Sequence, residues 1–174
     1  LYDNKEDVES ELEFLERINE EKEVDRGEYF YLPGKILHID GDKDYLNRCL
    51  AYYEKMNIAA IGFNLKENEL KEKIYDLLIE YNPNILVITG HDAYYKRKGE
   101  ASDLDNYKNS YNFVEAVKEA RKFENSHEKL IIIAGACQSN YEELIKAGAN
   151  FASSPKRINI HALDPAIIAT SLAF

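Results

Sequence analysis

His91 and Cys137 are the two residues of this chain whose types and settings fit covalent chemistry, and each stands at the end of an apolar run. Asn84-Ile85-Leu86-Val87-Ile88-Thr89-Gly90 leads into His91, and Leu130-Ile131-Ile132-Ile133-Ala134-Gly135-Ala136 leads into Cys137. A thiolate is a good nucleophile near neutral pH, and an imidazole within reach takes the thiol proton and returns it to a leaving group. If the two runs are neighbouring parallel strands, base and nucleophile share one edge of a sheet. Such a pair could transfer an acyl group through a thioester. Ser139-Asn140 opens a helix just after Cys137 with good capping residues, and a helix N-terminus favours a nearby thiolate or oxyanion. Taken singly, a strand-end cysteine reads as packing and a strand-end histidine as a hydrogen-bonded structural residue. The pairing, with glycines close to both, carries the chemical reading.

The elements that must position this pair follow from periodicity. Lys35 to Asp40 reads as a first strand, Asp42 to Met56 as a helix, Ile58 to Leu65 as a second strand and Glu69 to Tyr81 as a second helix. Asn84 to Gly90 is the third strand, Tyr111 to Glu124 the third helix, Leu130 to Gly135 the fourth strand and Asn140 to Ala147 the fourth helix. A short fifth strand is expected over Asn150 to Ser154, a sixth over Ile158 to Ala162, and a last helix from Asp164-Pro165. Continuous Ile/Leu/Val runs mark parallel strands buried on both faces by helices. The expected fold is α/β: a doubly wound, mostly parallel sheet between helices, caspase-like or flavodoxin-like, with the first, third and fourth strands central. Ligands of such sheets bind beyond the carboxyl ends of the strands, where Asp40, His91, Cys137 and Ser153 fall. The longest irregular stretch, Asp92 to Lys108, hangs on the same edge, and a loop that long is usually functional or mobile.

The remaining chain divides in two. Residues 1–28 form an acidic segment with Val8, Leu12, Leu15 and Ile18 at helical spacing over Glu6 to Lys22, then a joint at Asp25-Arg26-Gly27-Glu28. Residues 29–174 hold the α/β domain, long enough for its own core. The 174 residues carry a formal charge of -10, which repels nucleic-acid phosphate and anionic membrane and favours basic partners. No stretch reaches the roughly 20 apolar residues of a bilayer-crossing helix, and no signal segment opens the chain, so a soluble protein is expected. Two cysteines, Cys49 and Cys137, make no disulfide framework and suit a reducing compartment. No spacing suggests a metal site, and no cofactor is expected. The opening Leu1 reads as the start of a processed or trimmed product, or of the ordered part of something longer.

Ile88-Thr89-Gly90-His91-Asp92-Ala93 and Ala134-Gly135-Ala136-Cys137-Gln138-Ser139-Asn140, preceded by Gly34-Lys35-Ile36-Leu37-His38-Ile39-Asp40-Gly41-Asp42, resemble the YabG sporulation-specific peptidases of endospore-forming bacteria. The resemblance covers roughly residues 30 to 174. It implies a cysteine endopeptidase of the mother-cell cytoplasm, associated with the spore coat, that cuts spore coat and germination proteins after arginine. By carry-over Cys137 is the nucleophile and His91 its base. A wider likeness is to caspase- and clostripain-type enzymes, in which His precedes Cys by roughly 50 residues; here the separation is 46. Those enzymes follow their His with Gly, whereas Gly90 precedes His91 and Asp92 follows it. The N–H that joins that of Cys137 in an oxyanion hole is therefore either that of Asp92 or that of Gly90.

Preference for arginine calls for a carboxylate that accepts a guanidinium. Asp40 and Asp42 after the first strand are favoured; Asp42 also reads as the cap of the next helix, and Asp103 and Asp105 are alternatives. His38 and His161 read as structural, and Tyr94-Tyr95-Lys96-Arg97-Lys98 as a solvated loop. Arg26-Gly27 is a candidate for self-cleavage. The competing function class is a non-catalytic receiver- or flavodoxin-like module, supported by Asp40-Gly41-Asp42 and Lys156; a receiver needs its phosphorylated Asp where this chain has Gly90 and His91. A third is a peptidase fold that has lost catalysis and serves as a scaffold.

Overall fold

Every strand run predicted between residues 35 and 152 pairs in parallel in the computed structural model, which describes residues 35–95 and 104–152. The strands are β1 (Ile36–Asp40), β2 (Ala60–Asn64), β3 (Ile85–Thr89), β4 (Ile131–Ala134) and β5 (Phe151–Ala152), in the sheet order β2-β1-β3-β4-β5. The first, third and fourth strands are central, as the apolar runs predict. The helices are α1 (Lys43–Lys55), α2 (Leu70–Tyr81), α3 (Ser110–Phe123) and α4 (Tyr141–Ala147).

Successive strand side chains point to opposite faces, so one apolar run builds two cores. Leu37, Ile39, Leu86, Ile88 and Ile132 pack with Leu70, Ile74 and Leu78 of α2, Phe113, Val114 and Val117 of α3, and Leu144 of α4. Ile36, Ile85, Val87 and Ile133 pack on the other face with Cys49, Tyr52, Tyr53 and Met56 of α1. Helices thus cover both faces, and β1 and β3 are buried from end to end. Each fully buried Leu or Ile contributes about 1.5–3 kcal/mol by leaving water.

From β1 the chain runs outward to β2 on one side and returns to β3 on the other. That reversal opens the crevice at strand carboxyl ends where doubly wound sheets bind ligands. Asp40 closes β1, and Gly90 and His91 follow β3.

Ends differ from expectation by a residue or two where caps take over. Asp42 and Asn140 lie just outside their helices and accept backbone N–H groups as N-caps. The Asp92 to Lys108 stretch is not irregular at its base. Tyr94 and Tyr107 bridge antiparallel, Lys108 N–H donates to Ala93 O at 2.8 Å, and the two tyrosine rings stack at 5.1 Å. This pairing joins residues too far apart for local periodicity to register. The predicted helix over 6–22, the joint at 25–28 with Arg26-Gly27, the domain boundary, and Asp103, Ser153, Lys156 and His161 lie outside the described residues. So do the rest of the basic loop from Lys96 and the elements expected beyond residue 157.

Candidate active site

The β1 end is built from the inside outward. Buried His38 places Nδ1 2.7 Å from the Tyr53 hydroxyl and Nε2 3.3 Å from Thr89 Oγ1. Thr89 donates its one hydroxyl hydrogen to Asp40 Oδ2 at 2.7 Å, so His38 Nε2 is the donor to Thr89. Burial, with smaller contributions from Cys49, Tyr52 and Asp40, pushes the Tyr53 phenol well above its usual range, and its hydroxyl donates to Nδ1. Asp40, only 4% exposed, receives the Asp42 N–H on its second oxygen at 2.8 Å. Both Asp40 oxygens are therefore engaged inside the protein, and they fix the turn that carries Asp42.

Asp42 faces two ways. Oδ1 accepts the Asp44 and Tyr45 N–H groups at 2.9 and 3.2 Å, which caps α1, while Oδ2 lies 3.2 Å from His91 Nε2. The helix-cap reading of Asp42 holds together with a place at the histidine.

The other side of the imidazole meets Glu67, in a 3-10 turn after β2. Glu67 Oε1 accepts the His91 backbone N–H at 2.8 Å and stands 3.4 Å from Nδ1. The Glu67 side chain is 13% exposed against 56% for His91, so the carboxylate is the fixed partner. It also explains two glycines: a Cβ at Gly90 would come within 2.5 Å of Oε1, and one at Gly41 would collide with the same oxygen. Sequence reasoning missed Glu67 because it falls in the short connection between the second strand and the second helix, where a polar residue carries no period. Its position after the carboxyl end of β2 was the available signal.

Asp92 is held through both carboxylate oxygens. Its Oδ1 accepts the N–H groups of Ala93 and Asn109 at 2.8 and 2.7 Å, and its Oδ2 accepts the hydroxyls of Ser110 and Ser139. Asn109, the N-cap of α3, also donates from Nδ2 to His91 O at 2.8 Å. Ser110 and Asn109 had no signal beyond their place at a helix start.

Cys137 follows β4, the neighbour of β3. Ile88 pairs with Ala134 and Gly135 N–H donates to Ile88 O at 2.9 Å, so Gly90-His91 and Ala136-Cys137 leave the sheet from adjacent strand ends. The thiol is exposed and outside any disulfide. The turn around it is closed by Ala136 N–H on Ser139 Oγ at 2.8 Å and by Ser139 N–H on Ala136 O at 3.1 Å. The two residues after Cys137 reach the His91 loop: Gln138 Oε1 accepts the Tyr94 N–H at 3.2 Å, and Ser139 Oγ donates to Asp92 at 2.8 Å. Gly135 at φ +100° adopts a backbone that disfavours L side chains, and its Cβ would lie 2.7 Å from Leu144 Cδ1.

The sheet edge therefore gathers His91, Asp42 and Glu67 in direct contact, Asp40 beneath them, and the Cys137 turn tied to the His91 loop. Exposed Asp105 lies in a 3-10 turn of the long loop. Among the described residues no group of three or more His, Cys, Asp or Glu side chains is arranged to hold a metal ion.

A family model described as YabG peptidase U57 matches residues 2–174, through both the β3 and β4 strand ends. The chain belongs to the YabG peptidase family. One relative, the sporulation-specific protease YabG of Bacillus subtilis (strain 168), is 53% identical over 146 residues, covering 84% of this chain and 50% of that protein. The chain thus spans about half the length of the curated YabG relative it matches. The resemblance to the YabG peptidases is thus borne out.

Proposed function

We propose that the chain is a cysteine endopeptidase acting in sporulation, with Cys137 as nucleophile and His91 as general base. The observation that carries this reading is the adjacency of the two strand ends, with an exposed thiol in one loop and hydrogen bonds from its turn to the other loop. His91 takes the Cys137 proton and the thiolate attacks the scissile carbonyl carbon. His91 then protonates the leaving amine as the C–N bond breaks. Water, deprotonated by the same imidazole, cleaves the thioester and regenerates the thiol. The oxyanion is taken by the Cys137 N–H and by that of Gly90 or Asp92. The His91 N–H, already donated to Glu67, is not a candidate.

Carboxylates on both sides of the imidazole bear on this cycle. One ring nitrogen must leave its carboxylate to receive the thiol proton. Glu67 is anchored by the His91 backbone as well, so Asp42 is the partner that yields.

For substrates we infer cleavage after arginine, with spore coat and germination proteins as targets in the mother-cell compartment, and Arg26-Gly27 as a self-cleavage bond. The acidic balance of the chain supports a basic substrate residue. Asp42 Oδ2 is the more accessible of the two β1-end carboxylates for a guanidinium, with Asp40 supporting its turn. No helix among the described residues is long and apolar enough to cross a membrane. Cleavage of arginyl and lysyl peptides by wild type, Cys137→Ala and His91→Ala tests the reading. Both variants should lose activity, and hydrolysis retained by either sinks the dyad.

A further inference from the structure

We propose that the Asp92 side chain is a positioning residue that sets the His91 loop against the Cys137 turn through Ser139. This rests on the thiol-peptidase reading above but concerns a group that touches neither reacting atom.

A carboxylate offers about four acceptor sites, and Asp92 fills them from three segments of the chain. Ala93 N–H comes from its own loop, Asn109 N–H and the Ser110 hydroxyl from the start of α3, and the Ser139 hydroxyl from the turn after β4. Both serines are fully buried. Each also accepts a backbone N–H: Ser139 that of Ala136 at 2.8 Å, Ser110 that of Asn140 at 2.9 Å. The direction of every bond is thereby set, because each hydroxyl has one hydrogen and Asp92 takes it. The residue before Asp92 is His91; the residues bracketing Cys137 include Ala136 and Ser139. One carboxylate oxygen thus stands between the base's loop and the nucleophile's turn.

An amide in place of this carboxylate presents N–H hydrogens to hydroxyls whose own hydrogens point back at it. Removing the Ser139 hydroxyl cuts the link from Asp92 to the Cys137 turn and takes the acceptor from the Ala136 N–H, while the Ser139 N–H still closes the turn on Ala136 O and three donors stay on Asp92. In either case the cores on both sheet faces are untouched. The loss is alignment, and misplacement by about 1 Å costs on the order of 100-fold in rate.

The experiment compares Ser139→Ala and Asp92→Asn with wild type for kcat and KM on an arginyl peptide, thermal stability, and the rate of Cys137 alkylation by iodoacetamide. Iodoacetamide reacts with the thiolate and needs no oxyanion hole; measured at about pH 10, above the roughly 8.5 of a free thiol, its rate needs no aligned base and separates thiol access from alignment. We expect kcat to fall on the order of 100-fold, with KM and the alkylation rate within about threefold of wild type and a folded protein. Wild-type kcat in Ser139→Ala overturns the proposal, as does a fall in alkylation or folding that matches the fall in kcat. Activity in Cys137→Ala would overturn the underlying peptidase chemistry instead. An inactive Cys137→Ala beside a fully active Ser139→Ala removes the clamp alone. Should Asp92→Asn fail to fold, Ser139→Ala decides the question by the same readouts.

Discussion

The two cysteines occupy opposite environments, and their chemistry should differ accordingly. Cys137 is exposed, whereas Cys49 is 1% exposed in the α1 face of the core, where burial, reinforced by the charge of Asp40, pushes its thiol from 9.0 up to about 12. A thiol-disulfide reagent at pH 8 should therefore titrate one thiol in the native protein, two after unfolding, and none in native Cys137→Ala. The raised Cys49 value also has a stability consequence. Its neutral form is favoured in the fold, so this contribution is complete below about pH 9 and is lost as pH rises toward 12. At the histidine, Asp42 and Glu67 invite a sharper separation. If Asp42 serves the substrate guanidinium, Asp42→Asn lowers kcat/KM for arginyl peptides about 10-fold or more and leaves a neutral-residue substrate unchanged; an effect equal for all substrates assigns it to the imidazole alone. Glu67→Ala should lower kcat for every substrate, and Glu67→Gln, which can still accept the His91 N–H, should recover part of it.

At the scale of elements, the sheet edge depends on backbone shapes that one side chain can spoil. Gly135→Ala forces a Cβ into Leu144 and a disfavoured φ in the turn before Cys137, with a cost of about 1–3 kcal/mol from overpacking. Calorimetry should show the lower melting temperature and peptide assays a loss of kcat beyond it. Arg121 ties the end of α3 to its neighbours: its guanidinium donates to Gly148 O, Leu130 O and Asn150 Oδ1, each at 2.8 Å. Arg121→Met takes this donor from the Gly148 and Leu130 carbonyls, while Asn150 Oδ1 keeps the Ile132 N–H, and should destabilise the fold by about 1–3 kcal/mol without changing KM. Strands and helices were legible in the sequence because buried apolar runs and 3.6-residue stripes are local signals. Asp42 and Asn140 as caps were legible for the same reason. Glu67 and the four donors of Asp92 were not, since their partners lie up to 47 residues away and polar side chains in loops carry no period. The contact between Asp42 and His91 needed the β1–β3 adjacency before it could be seen.

For the whole molecule, the strand order also belongs to flavodoxin-like binding modules, so the sheet by itself does not distinguish a peptidase from a receiver. What differs is the content of the crevice. A receiver needs an accessible carboxylate at the β3 end, and the one nearest, Asp92, has both oxygens engaged by protein donors. The charge of the chain then acts on encounter. With 32 acidic against 22 basic residues, the field around the protein attracts cationic peptides and repels anionic ones before any contact forms. That attraction is screened over about 8 Å at physiological ionic strength and over about 3 Å at 1 M salt. The kcat/KM for a peptide carrying several basic residues should therefore fall as salt rises from 0.05 to 0.5 M, while kcat at saturation stays level. A single-arginine peptide flanked by neutral residues should show a much shallower dependence. Stopped-time cleavage assays across that range separate the two, and equal slopes for both peptides would assign the proposed arginine preference to local pairing at the β1 end instead of to the field of the molecule.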